Sequence, residues 1–309
     1  MSESSRGVAA SESSRGVALG VAAWAMWGFF PLYWPLLEPA GAVEILAHRI
    51  FWSMLVMLGV VLLLRRGRLR ATVADRRTLL LLVLAAALIS TNWGVYIYGV
   101  NSDHVVETSL GYFINPLVSV LIGVLVLGER LRRLQWVALA IAGTAVLALT
   151  VQYGRPPWIA LALAVSFGCY GLVKKTADTG AVESLVIETL VVAPVALGYL
   201  TVLTLQGTST FAEHGSGHVL LLIGTGVITV IPLLCFNGAA TRIPLSTLGL
   251  LQYLTPTVQF VLGLVVFGEP MPTMRWVGFG LIWIALVIFT AESLRHRRQT
   301  RLLAQAAAL

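Results

Sequence analysis

Apolar residues fall in ten long stretches, at about 16–36, 43–64, 78–100, 105–127, 134–152, 157–174, 182–205, 218–239, 244–267 and 274–292. Each is near the roughly 20 residues that a helix needs to cross the hydrocarbon core. The stretches are continuous and do not alternate with polar residues, which argues against barrel strands. The pattern therefore predicts an all-α polytopic membrane protein of ten transmembrane helices. The first stretch follows Arg15 and contains "AWA", which resembles a signal-peptide cleavage site, but it is too long and aromatic for that role.

The stretches repeat. "NPLVSVLIGVLVLGERLRRLQWV" (115–137) aligns with "TPTVQFVLGLVVFGEPMPTMRWV" (255–277) at an offset of 140, with eight of 23 positions identical. The matches include Pro116/Pro256, Gly128-Glu129/Gly268-Glu269 and Trp136/Trp276, which apolar composition alone does not produce. "SLG" (109–111) matches "TLG" (247–249) at 138, "VEILAHR" (43–49) faces "VESLVIE" (182–188) at 139, and Gly28 faces Gly168 at 140. A five-helix unit occurs twice. Five is odd, so the second copy enters the membrane from the opposite side. The expected organisation is a polar tail (1–15), a first repeat (16–152), an inverted second repeat (157–292) and a basic tail (293–309). Inverted repeats are a transporter signature, because exchanging the conformations of the halves moves access from one side to the other.

Composition agrees, with 58% hydrophobic and 11% charged residues, against about 25% charged in soluble domains. The net charge of +7 is unevenly placed. All lysines and arginines except Arg49, Arg155 and Arg275 lie in the tails or in segments 65–77, 130–133, 174–180 and 240–243, on one side. The positive-inside rule makes that side, and both termini, cytoplasmic. The basic excess is thus a topology and lipid signal, and nucleic acid is not an expected partner. The tail carries a tandem copy, "SESSRGVAA" then "SESSRGVAL", to which we assign no role.

Polar side chains inside the stretches mark a candidate substrate cavity. Tyr112, Asn115 and Ser119 share one helix face, and Gln252, Thr255 and Gln259 repeat that spacing at the equivalent sites. Asn92 and Tyr96, Ser166 and Tyr170, and Asn237 are further candidates. The competing role is interhelical hydrogen bonding, worth about 0.6–2 kcal/mol per contact.

Arg49 lies beside His48 within "EILAHRIFWSML". An arginine at a helix centre costs about 2.5–3.5 kcal/mol on insertion scales, which about a dozen large apolar residues offset. Its repeat equivalent is Glu188. Arg49 is expected to border the cavity near its outer end, with His48 beside it, and snorkelling to the headgroups is the alternative. Glu188 is the candidate for a proton-linked step. A direct Arg49–Glu188 pair is disfavoured by a depth difference of roughly 13 Å at 1.5 Å per residue.

Other signals are weaker. "EHGSGH" holds Glu213, His214 and His218, but its glycines argue against the helix that a zinc pair would use. The Gly-Glu pairs read as helix ends. Cys169 and Cys235 fit neither disulfide nor metal site, and no phosphate loop or nucleophile elbow occurs, so neither metal nor cofactor is expected.

"AHRIFWS", "NSDHVVETSLGYFINPLVSVLIGVLVLGERL", "SFGCYGLVKK" and "LSTLGLLQYLTPTVQFVLGLVVFGE" resemble the RarD group of EamA transporters, in the drug/metabolite transporter superfamily. The resemblance spans about residues 16–293. It implies two inverted repeats around a central cavity in the bacterial inner membrane, and export or exchange of small metabolites. The expected partners are a small polar or amphipathic substrate, the lipid bilayer and, through Glu188, protons. The alternative is an intramembrane enzyme acting on a lipid-soluble substrate, which would want a clustered acid, base or metal. A structural subunit would leave the inverted repeat unexplained.

Overall fold

The computed structural model describes residues 3–64, 74–128, 131–177, 181–240, 242–243, 247 and 251–306. Among them the chain is helical and contains no strand. The helices are α1 (Glu3–Gly28), α2 (Ala42–Leu64), α3 (Arg76–Asn101), α4 (Val105–Leu127), α5 (Arg133–Tyr153), α6 (Trp158–Ala177), α7 (Ala181–Leu205), α8 (Gly215–Ala240), α9 (Leu254–Val265) and α10 (Thr273–Ala306). Eight are long and apolar enough to cross a membrane, and two shorter apolar helices, Trp158–Lys174 and Leu254–Val265, accompany them. Leu62, Val151, Leu205 and Val265 are each more than three-quarters exposed. Such outward apolar side chains suit lipid and not water.

Boundaries follow local chemistry. The first apolar stretch does not stay α-helical to residue 36. Pro31 and Pro35 have no N–H to donate, and the chain after Gly28 runs through two 3₁₀ turns, Phe30–Leu32 and Trp34–Leu37. Asp75 caps α3 by accepting from the backbone N–H of Arg77 and Thr78. Gly128 and Gly154 end α4 and α5 in the left-handed conformation, at φ 65° each. In the ninth stretch α9 runs Leu254–Val265, and much of 244–250 lies outside the described residues. Both tails are helical where described, since α1 starts at Glu3 and α10 runs to Ala306.

Packing has a two-fold logic. α6 packs on α3 and α4, and its counterpart α1 packs on α8 and α9. α2 contacts α8, and α7 contacts α3, while α2–α7, α4–α9 and α5–α10 pair counterpart with counterpart. Close approaches repeat too. A Cβ added at Gly28 would lie 2.8 Å from Val258 of α9, and one at Gly168 would lie 2.9 Å from Ile122 and 3.6 Å from Val118 of α4. Val118 and Val258 are equivalent at the 140 offset. Small residues let membrane helices approach in this way. α5 and α10 sit apart from the cavity, joined to it by an apolar cluster that includes Phe113, Leu149, Phe260 and Phe279.

Candidate functional site

A cavity of about 350 Å³ lies among α1–α4 and α6–α9. Its wall takes side chains from both halves at equivalent positions: Trp27 and Phe167, Phe30 and Tyr170, Tyr112 and Gln252, Asn115 and Thr255. The wall is mostly aromatic and aliphatic, with a few polar groups, as small-molecule sites are.

Arg49 reaches this wall from α2. It is 3% exposed, so it does not snorkel to a surface. Its Nε donates to the Thr229 hydroxyl at 2.9 Å. Its guanidinium carbon stands 4.0 Å from the Trp93 ring centre, 5.2 Å from Trp34 and 5.6 Å from Phe30. Ring faces attract a cation, most strongly where water is excluded. Nη1 is buried with no hydrogen-bond partner among the described residues. The guanidinium is thus held by rings and one hydroxyl, with donor capacity to spare.

Next to it a polar network fixes the side wall. Asn92 donates from Nδ2 to the Leu163 carbonyl at 2.9 Å and to the Ser166 hydroxyl at 3.0 Å, and accepts from Tyr112 at 3.4 Å. Gln259 donates to the Tyr96 hydroxyl at 3.0 Å and to the Trp27 carbonyl at 3.3 Å, while its Oε1 has no partner among the described residues. Thr255 donates to the Trp24 carbonyl at 2.6 Å. These bonds tie α3 to α6 and α9 to α1. The same residues therefore glue helices and line the cavity.

Glu188, on α7, is 2% exposed. It accepts from Lys174 Nζ at 2.8 Å, from the Tyr170 hydroxyl at 3.2 Å and from Ser184 at 2.5 Å. Lys174 also donates to Ser184 and lines the cavity, whereas Glu188 sits behind it. Arg49 and Glu188 do not pair.

Of the residues singled out by sequence, Arg49, Asn92, Tyr96, Tyr112, Asn115, Tyr170, Gln252, Thr255 and Gln259 line one cavity. His48, Ser119, Ser166 and Glu188 do not. His48 stacks on Phe211 at 4.9 Å and accepts from Trp52, so it faces away from Arg49's rings. Ser119 donates to Asn115 and lies against Gly168. Ser166 supports Asn92 from behind. The side chain of Asn237 lies outside the described residues.

The EamA-like transporter family matches residues 14–151 and again 156–291. This chain belongs to that family. Its relatives place it in the RarD group: it is 57% identical to Protein RarD of Streptomyces exfoliatus, over 97% of this chain and 96% of that one. It is 44% identical to the uncharacterized transporter YojE of Bacillus subtilis, over 94% and 98%. To the chloramphenicol-sensitive protein RarD of Pseudomonas aeruginosa it is 31% identical, again over 94% and 98%. A crystal structure of a protein superposes at a TM-score of 0.58 and 17% identity, over 88% of this chain and 96% of that one, which shows the fold alone. As an EamA transporter of the RarD group, the chain is a multi-pass membrane protein with a transport role.

Two features of this EamA chain escape a reading by motif. Lys174 is a wall residue, although its position in the basic "KK" marks it as a topology signal. Its placement is legible only with Tyr170, Ser184 and Glu188, each four residues from a neighbour on the same helix face. Glu269 does more than follow a helix-ending glycine. Both its oxygens accept from Val106 N–H, at 3.1 and 3.2 Å, so a carboxylate from the second half caps α4 of the first. Burial pushes its pKa up to about 7, against the lowering effect of the Val106 and Val105 N–H groups and Arg275. Glu129, its counterpart, lies outside the described residues. The His214 and His218 rings lie 5.5 Å apart and tilted by 58°, and no group of three metal-ligating side chains occurs among the described residues.

Proposed function

We propose that the chain is a secondary transporter of the cytoplasmic membrane, moving a small polar or amphipathic metabolite by alternating access between two inverted five-helix repeats. The observation that carries this reading is the wall itself, built from equivalent positions of both halves around one cavity. Asn115 stands ten residues into α4, roughly 15 Å along a helix rising 1.5 Å per residue. That is about the midplane of a hydrocarbon core roughly 30 Å thick, where transporters of this kind bind. The double family match and the counterpart-to-counterpart packing support the repeat.

In this reading Arg49 anchors an anionic group of the substrate, and Glu188, exchanging partners with Lys174, is the group for a proton-linked step. An intramembrane enzyme is less well supported. The ionisable groups near the cavity are engaged in separate places, Arg49 with rings and Glu188 with Lys174, and no Asp or Glu lines the wall among the described residues.

The test is comparative metabolite profiling of cells with and without the protein, followed by flux of the accumulated compound in liposomes. Leucine at Asn115 or Thr255 is expected to reduce flux at least several-fold with the protein still folded and inserted. Full flux from both variants would retire the cavity as the transport site.

A further inference from the structure

Equivalent positions of the two halves carry opposite charges. Arg49 on α2 stands against Phe30 and Trp34. Its counterpart Glu188 on α7 stands against Tyr170 and Lys174, the residues equivalent to Phe30 and Trp34 at the 140 offset. One site has an acid with an internal cation. The other has a cation with only rings and a hydroxyl.

The charge balance of the wall follows. Lys174 and Glu188 form an ion pair at 2.8 Å, whose charges cancel. Arg49 stays protonated in proteins. Tyr96, Tyr112 and Tyr170 on the wall are phenols, and no Asp or Glu lines the cavity among the described residues. The wall thus presents one uncompensated positive charge, together with the unpartnered Nη1 that would donate to an anion. Around it stand the rings of Trp24, Trp27, Trp93, Phe167 and Phe236 and the uncharged polar side chains of Asn92, Asn115, Gln252, Thr255 and Gln259.

We infer that the cavity selects cargo with a single negative charge on an apolar, ring-sized body, and that Glu188 enforces the count by occupying Lys174. A monoanion at Arg49 leaves the site neutral. A dianion buries a second charge for which Lys174, the other cation on the wall among the described residues, is taken by Glu188, and an uncompensated buried charge is costly. A zwitterion or a cation brings an ammonium to a wall with no carboxylate. The volume of about 350 Å³ suits a body of one aromatic ring. This inference rests on the reading of the cavity as the transport site.

The test uses four probes with a phenyl body: benzenesulfonate, phenylphosphonate above its second pKa, phenylalanine and phenyltrimethylammonium. Binding to the purified full-length protein is followed by tryptophan fluorescence, with Trp24, Trp27 and Trp93 on the wall as reporters. Wild type is expected to prefer benzenesulfonate over each of the others by roughly tenfold or more, the scale of one charge interaction in a partly buried site. Glu188→Gln frees Lys174 and is expected to shift the ratio toward phenylphosphonate by a similar factor. Arg49→Gln is expected to abolish the preference for the sulfonate over phenylalanine. The double variant Lys174→Met/Glu188→Leu removes the pair without changing the sum, so it is expected to restore the monoanion order, and it guards against misfolding from a lone buried charge. Equal binding of all four probes, no binding of any, or an unchanged order in Arg49→Gln and Glu188→Gln would overturn the inference. The same charge order without flux in liposomes would instead overturn the transporter reading and leave only the charge selectivity of binding in the cavity.

Discussion

Arg49 is a buried cation whose neighbours are three rings and one hydroxyl, and that arrangement sets what its replacements should do. Lysine keeps the charge over Trp93 but loses the planar five-donor fork and the Nε bond to Thr229. Arg49→Lys is therefore expected to retain partial flux and Arg49→Ala little, at matched protein content in liposomes. Wild-type flux from Arg49→Ala would remove the arginine from substrate binding. The arginine was legible because a charge in an apolar run has few harmless explanations. Lys174 was not, since a lysine next to Lys175 at a helix end has an ordinary one in topology. Ser119 shares a helical face with Asn115, but the close approach of α4 to Gly168 turns that part of the stripe into a helix interface. Periodicity finds the face, and packing decides where along it the cavity stops.

At the scale of elements, two contacts carry separable expectations. The α4–α6 approach is tight at Gly168, where a Cβ would meet the tip of Ile122 at 2.9 Å and Ser119 at 3.4 Å. Gly168→Leu is expected to cost about 1–3 kcal/mol by overpacking, read as a lower melting temperature in detergent. An unchanged melting temperature would mean that the interface is loose. Glu269, reaching from beyond α9 to the N-terminus of α4, has a pKa raised from 4.5 to about 7 by burial. The folded state then holds this proton more tightly than the unfolded chain. Its contribution to stability is full below the ordinary carboxylate value and is lost as the pH rises through about 7. The melting temperature should fall between about pH 5 and pH 8, and Glu269→Gln should flatten that slope. The same slope in the variant would assign it to another group. Sequence pattern gave the helices themselves, since long apolar runs allow little else. It missed the break after Gly28, where Pro31 and Pro35 outweigh an apolar composition that continues unchanged. It also missed the Glu269 cap, which joins residues 163 positions apart.

At the scale of the molecule, the account is of two similar halves with unlike charges at equivalent places. The repeat was legible in paired prolines, glycines and a tryptophan, and the packing of α1 and α6 onto equivalent partners agrees with it. The opposite orientation of the halves rests on an odd helix number and on charge bias, and cysteine labelling tests it. In a background lacking Cys169 and Cys235, Ala74→Cys and Thr208→Cys, both at exposed positions, should react with an impermeant reagent from opposite sides of the membrane. Reaction from one side would remove the inverted repeat. Alternating access makes a stronger demand on Asn115, which is 5% exposed and lines the cavity wall. The most direct measurement is the labelling of a single Asn115→Cys by an impermeant thiol reagent, added in turn to right-side-out and inside-out vesicles. The account expects labelling from either side, slowed from both by a bound substrate. Labelling from one side only, or from neither, would contradict it.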